Sequence, residues 1–224
     1  MQSQLDHLVV AATTLEAGVA WCRETFGFEP AAGGQHALMG THNRVFRIDT
    51  PQFPRAYFEI IAVDPAASAP PRTRWFDLDD PNLRDRIESG PRLIHFVAST
   101  NDAAAAQAAL APLGIERGAL VAAERATPSA LLRWKISIRA DGQRLFAGAL
   151  PTLIEWGSAH PCDTLPPSGV ALRSLACAHP EGGRLRQAYE AIGLEQVTAV
   201  SGPASLVALL DTPRGPVRIE SGGA

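Results

Sequence analysis

The sequence predicts an α+β fold built from repeated βαβββ modules, and three observations lead there. Leu5-Asp6-His7-Leu8-Val9-Val10 returns at Leu93-Ile94-His95-Phe96-Val97-Ala98, an apolar strand with a histidine in the same register. Behind each copy comes a helix-spaced stretch and then a series of strand-like runs, in the same order. Each module also closes on a strand carrying glutamate: Glu59 in Tyr57-Phe58-Glu59-Ile60-Ile61 and Glu155 in Leu153-Ile154-Glu155-Trp156, 52 and 60 residues after the two histidines.

The elements follow in order. A strand over 5–11 leads to Thr13-Thr14-Leu15-Glu16, a helix N-terminus, and Leu15, Val19, Cys22 and Phe26 keep helical spacing until Gly27. Strand-like runs near 36–40, 43–49 and 56–63 are bounded by Gly33-Gly34 and Thr50-Pro51, which completes a first module over residues 1–64. Prolines 65, 70, 71, 81 and 91 mark 65–91 as a linker with room for a short helix over 82–89. The second module, 92–159, has a strand over 92–99, an alanine-rich helix capped by Asn101-Asp102 and stopped by Gly114, and strands near 119–124, 131–139, 144–149 and 152–156. A third, shorter module over 160–224 reads as strand 170–178, helix 184–192 and strands 205–211 and 216–220. It places Ser174 where the others have histidine and Glu220 where they have glutamate. It is expected to extend the core or to form a subunit contact, which leaves a homodimer open.

The chain has 224 residues, of which 46% are hydrophobic, so it can bury a core without a metal or disulfide to hold it. A formal net charge of −3 and scattered arginines give no electrostatic footprint for nucleic acid, and a small molecule is the expected partner. Three widely spaced cysteines suit a reducing compartment. No signal-like segment or membrane-length apolar run is present, so the expectation is a cytoplasmic protein with no membrane partner.

Two histidines and two glutamates related by a pseudo-twofold axis could close around one divalent cation. Two imidazoles and two carboxylates would make the inner shell neutral overall, whereas the same carboxylates left unpaired in a cupped sheet would repel each other. In a regular pleat His7 shares a face with Leu5 and Val9, and His95 with Leu93 and Val97, so either one alone also reads as a hydrogen-bonded core histidine. The donors are mixed nitrogen and oxygen, which suits Zn, Ni, Mn, Co or Fe.

The order of Leu5-Asp6-His7-Leu8-Val9, Gly34-Gln35-His36, Gly40-Thr41-His42-Asn43, Tyr57-Phe58-Glu59-Ile60-Ile61, Arg74-Trp75-Phe76 and Leu153-Ile154-Glu155-Trp156-Gly157 with His160-Pro161 spans nearly the whole chain. It resembles the vicinal-oxygen-chelate superfamily of glyoxalase I, extradiol dioxygenases and bleomycin-binding proteins, and more narrowly the glyoxalase-like domain family. What the resemblance implies is a cupped, mostly antiparallel sheet with helices outside and a divalent metal at its centre, held by His7, Glu59, His95 and Glu155. Glu59 or Glu155 would then be the catalytic base.

His42 and Asn43, with His36, stand around a turn that is either a pocket rim or a solvated strand end. Trp75, Trp134, Trp156 and Arg74 are either walls and an anion clamp of a ligand cavity or ordinary packing and ion pairs. The leading functional expectation is a metal-dependent lyase, isomerase or hydrolase acting on a substrate with vicinal oxygens. The alternatives are an Fe(II) ring-cleaving dioxygenase and a non-catalytic protein that sequesters a small molecule.

Overall fold

The computed structural model describes residues 2–127 and 131–222. The first module runs β1 (Ser3–Ala11), α1 (Leu15–Phe26), β2 (Ala31–His36), β3 (Thr41–Arg47) and β4 (Tyr57–Val63). Thr14 caps α1 by accepting from the Ala17 amide, and Gly27 ends it at φ 87°, a left-handed conformation that costs glycine little. After the linker helix α2 (Pro81–Glu88), the second module runs β5 (Arg92–Thr100), α3 (Ala103–Leu110), β6 (Ala119–Ala126), β7 (Leu131–Ile138) and β8 (Thr152–Trp156). The two modules share one eight-stranded sheet in the order β2-β3-β4-β1-β5-β8-β7-β6, with β1 antiparallel to β5 at its centre. In this sheet, among the described residues, only β1–β4 and β5–β8 pair in parallel, so the sheet is mostly antiparallel, as expected. It curls until its edge strands approach: a Cβ on Gly34 of β2 would overlap the Arg125 guanidinium of β6.

The third unit has β9 (Ala171–His179), α4 (Gly182–Ile192), β10 (Thr198–Ser201), β11 (Ser205–Thr212) and β12 (Gly215–Glu220), in a separate sheet ordered β10-β9-β11-β12. Its Leu172, Leu175, Leu185 and Tyr189 join Leu8, Phe58 and Phe96 in one continuous core on the convex side of the large sheet, together with α1 and α3. A second apolar cluster fills the concave side. There Trp75, Phe76 and the Leu83 and Ile87 side chains of α2 pack under Val97 and Ile154, so this helix is not on the outside.

One local feature recurs in all three units and positions everything that follows. The β1–β5 ladder pairs Leu5 with Ala98 and His7 with Val97, skipping Asp6. It also pairs Val9 with His95 and Val10 with Leu93, skipping Ile94. In the third unit Leu209 pairs with Ser174 and Leu210 with Leu172, skipping Arg173. Each first strand therefore bulges by one residue just before its histidine or serine. A bulge breaks strand alternation and re-aims its side chains. Leu5 accordingly packs with Leu8 and Val10 in the convex core while Val9 lies in the concave cluster, so the shared face expected for Leu5, His7 and Val9 is not formed.

Four other expectations change. Gly33-Gly34 does not bound a strand but lies inside β2, where the register to β3 shifts between Ala32 and Gln35, and residues 37–40 form the turn. The run 144–149 is not a strand: Phe146 (φ 52°) and Ala147 (φ 51°) are left-handed, and the segment is a tight turn. Leu145 and Phe146 pack half-buried against the core, and two of its carbonyls bond to other elements, Gly148 O to His95 Nδ1 (2.8 Å) and Ala149 O to the Tyr189 hydroxyl (2.5 Å). The alanine-rich helix ends at Leu110 and tightens into a 3-10 turn before Gly114. Finally, β10 is an additional short strand, paired in parallel with β9. Among the described residues no helix is long and apolar enough to cross a membrane.

Candidate active site

The bulge at Asp6 makes an otherwise forbidden contact. Neighbours in a regular strand point to opposite faces, yet here the Asp6 carboxylate accepts from His7 Nδ1 at 2.7 Å. It also accepts from Trp156 Nε1 (2.9 Å) and His160 Nε2 (3.1 Å), with Asp6 itself 2% exposed. Burial opposes ionisation of this carboxyl, but the hydrogen bonds and charges of His160 and His7 outweigh it and hold Asp6 well below the usual carboxylate range. The His160 Nδ1 accepts from the Cys162 amide (3.1 Å), so its proton sits on Nε2 and faces Asp6. His7 is fixed in the same way, with Nδ1–H toward Asp6 and Nε2 free, and its ring stacks on Tyr57 at 4.4 Å between centroids.

Glu59 lies opposite that free nitrogen. Strand β4 runs parallel to β1 with His7 paired to Tyr57 and Val9 to Glu59, so the Glu59 and His7 side chains share the concave face. Glu59 Oε2 is 3.7 Å from His7 Nε2. Its other oxygen accepts from Asn43 Nδ2 at 2.5 Å, and Asn43 Oδ1 in turn accepts from the Gly34 amide at 2.7 Å. The double glycine is what permits this, since a Cβ at Gly33 would overlap Asn43 Oδ1. Beside Asn43, burial pulls His36 down to about 4, partly offset by the charge of Glu59, so its ring is neutral; its Nδ1 contacts Thr41 Oγ1 at 3.0 Å.

His7, Glu59, Asn43 and His36 line one wall of a cavity of about 50 Å³. Trp75, Phe76, Trp134 and Trp156 supply apolar walls, and Arg125 reaches in from β6. Of the residues expected to bind substrate, the structure brings Asn43, Trp75 and Trp134 to this cavity. His42 points to the other side of β3, toward Asp64 (3.9 Å), and Arg74 is held by Asp79 at 2.8 Å. Asp6, Tyr57 and Arg125 were not expected in the site. An acidic residue inside an apolar strand was a visible signal for Asp6, whereas nothing in the sequence marked Arg125.

The four proposed metal ligands do not converge. On β5, His95 is fully buried, contacts Gly148 O through Nδ1 and accepts the Thr152 amide (3.1 Å) at Nε2. Burial holds it well below the ordinary histidine value, as a neutral core residue. Glu155 lies on the opposite face of β8 from the cavity-lining Ile154 and Trp156, bonded to Lys135 Nζ (2.7 Å) and the Ala103 amide (3.0 Å). The register explains this. Val9 pairs with Glu59, but its counterpart Val97 pairs with Thr152, so the structural equivalent of Glu59 is Thr152, whose Oγ1 is 3.0 Å from His95 Nε2. His7 and Glu59 are close enough to share an ion, but among the described residues no three His, Cys, Asp or Glu side chains are grouped to hold one. The donors therefore fit neither the four-ligand centre nor the two-histidine, one-carboxylate set of a ring-cleaving iron enzyme. The three cysteines are free, buried and pushed up to about 12 by burial, which leaves no activated thiol.

Comparison with known proteins places the architecture. The family model of the glyoxalase-like domain matches residues 5–193. A solved structure of a hypothetical protein from Staphylococcus aureus is 15% identical, with 99% of this chain and 87% of that chain covered and a TM-score of 0.59. A methylmalonyl-CoA epimerase from Mycobacterium tuberculosis is 14% identical over 71% of this chain and 91% of its own, with a TM-score of 0.41. A mutant 4-hydroxymandelate synthase from Streptomyces coelicolor is 13% identical over 98% of this chain and 62% of its own, at 0.45. No curated protein matches the chain.

Proposed function

The chain belongs to the glyoxalase-like domain family, and on that premise we propose that it is a lyase- or isomerase-type enzyme that moves a proton on a small molecule with adjacent oxygens. The observation that carries this is the buried line Asp6–His7···Glu59 on the wall of an aromatic cavity. Glu59 is the base that takes a carbon-bound proton. The C–H electron pair passes into the neighbouring carbonyl, and the proton returns from the same oxygen to the same or an adjacent carbon. His7 faces the substrate oxygen through Nε2 and exchanges a proton with it, and Asp6 fixes the ring through Nδ1. The 3.7 Å between Nε2 and Oε2 is too long for a direct hydrogen bond, so the two groups stand ready for two different substrate atoms. Asn43 holds the Glu59 carboxylate in place through Oε1. The divalent metal that the resemblance implied has no part in this reading, because two of its four expected donors are engaged elsewhere. Three buried free thiols suit the reducing cytoplasm in which we place the protein.

The test is hydrogen exchange. Small 2-oxo and 2-hydroxy carbonyl compounds, charged and neutral, are incubated with the protein in D₂O and followed by NMR. At least one is expected to exchange a carbon-bound hydrogen faster than in buffer, and Glu59→Gln is expected to abolish the gain. Binding without exchange by every compound would overturn the enzyme reading in favour of sequestration, which the large aromatic rings around the cavity would also serve.

A further inference from the structure

Three nitrogen donors around the cavity have no partner. Nε and Nη1 of Arg125 and Nε1 of Trp75 are buried and make no hydrogen bond, and both residues line the same cavity as Glu59 and His7. Buried donors are normally satisfied, so unsatisfied ones that face a cavity mark where an acceptor belongs. The acidic side chains do not meet the need. Glu59 is bonded by Asn43 and lies near His7, Asp6 is fully engaged by its three donors, and no carboxylate forms an ion pair with Arg125 among the described residues. Arg125 and Trp75 also come from outside the first module, one from β6 and one from the linker, and pack against its β2, Arg125 on Gly34 and Trp75 on His36.

From this geometry we infer that the substrate is a small carbon acid bearing a carboxylate, whose anionic group is bound by Arg125 and Trp75 while its carbon-bound proton faces Glu59. A guanidinium with two free donors suits a carboxylate, and the indole N–H adds a third. Bound there, the cation also draws charge toward the oxygen on which negative charge builds as Glu59 removes the proton. Size narrows the class further. The cavity of about 50 Å³ holds only a few heavy atoms. The substrate is thus a short 2-oxo acid. This inference rests on the acid–base reading of Glu59.

Pyruvate and its methyl ester are the probes, with binding followed by tryptophan fluorescence and C3 hydrogen exchange in D₂O by NMR. Pyruvate is expected to bind roughly 10- to 100-fold more tightly than the ester, whose neutral head forfeits the charge-assisted bonds. Arg125→Gln should remove the preference for the acid over the ester, Arg125→Lys should keep part of it, and Trp75→Phe should weaken the acid alone. The ester comparison on the unaltered protein needs no variant to fold. Equal binding of acid and ester, or a preference that survives Arg125→Gln, overturns the inference even if exchange is seen. Tight, charge-dependent binding with no exchange supports the anion site and refutes only the role given to Glu59.

Discussion

Replacing Asp6 by asparagine tests the centre of the site most directly. The carboxylate accepts three buried hydrogen bonds, from His7, Trp156 and His160. An amide has one acceptor oxygen with two lone pairs, so at least one of the three donors is left without an acceptor, at a cost of ~1–3 kcal/mol. The bonds that remain lose their charge assistance, which adds ~1 kcal/mol each. A total of ~3–5 kcal/mol agrees with the usual penalty for removing one partner of a buried ion pair. The variant should therefore unfold in urea with a clearly reduced free energy at neutral pH. Its acid dependence has a definite sign. Asp6 is held below the ordinary carboxylate range in the folded protein, so its contribution is complete above its unfolded value of ~3.9 and is lost as pH falls from there. The stability gap between the two proteins should accordingly narrow below about pH 4. The amide NH₂ can also donate to His7 Nδ1 and push the ring proton to Nε2, which ¹⁵N chemical shifts of the imidazole report. A stability loss under ~1 kcal/mol, with the His7 tautomer unchanged, would refute the view that Asp6 organises the site.

Four further substitutions separate the site from its surroundings. Glu59→Gln should leave the fold intact and lower proton exchange by roughly 10²- to 10⁴-fold, measured by NMR in D₂O. Glu155→Gln removes a part-exposed pair with Lys135 and a bond to the Ala103 amide, so it should cost under ~1 kcal/mol in urea unfolding and change neither exchange nor ligand affinity. His95→Ala strips partners from Gly148 O and the Thr152 amide in a fully buried place and should cost about 3 kcal/mol, while bound divalent metal, measured by elemental analysis, stays the same as in the unaltered protein. Gly33→Ala drives a Cβ into Asn43 Oδ1 and should cost ~1–3 kcal/mol, with a matching fall in exchange as Asn43 lets go of Glu59.

The sequence carried the module order, because apolar strand periodicity and helix caps are local signals, and the cupped sheet came from the family resemblance. It did not carry register. The histidine-to-glutamate intervals of 52 and 60 residues each cross a helix, two strands and several turns, so neither interval fixes the face its glutamate takes. The offset between first and last strand differs: Val9 meets Glu59 in one module and Val97 meets Thr152 in the other. Glu155 thereby turns to the outer face while Ile154 and Trp156 face the cavity. A connection such as 144–149 can absorb any number of residues, and nothing in its composition says that it is a turn holding His95 by Gly148 O. Arg125 was hidden for a related reason, since an arginine in an alternating edge strand looks solvated until the sheet curls far enough to bring it against Gly34.

The same bulge occurs three times, and what differs is the residue placed on it: Asp6, Ile94 and Arg173. A bulge sets a side chain beside the following residue where a flat strand would separate them. With aspartate there, the following histidine gains an anionic partner and a fixed tautomer. In the second copy isoleucine stands there and gives His95 no such partner, so that histidine bonds to the backbone and to Thr152 instead. In the third, the bulge carries an arginine and is followed by Ser174, and Arg173 pairs with Asp211 at the surface. The backbone device is common to all three copies, and one of them carries the Asp6–His7···Glu59 line. The candidate active site is therefore asymmetric: the first module supplies that line, and the second supplies Arg125, Trp134 and Trp156 around the cavity.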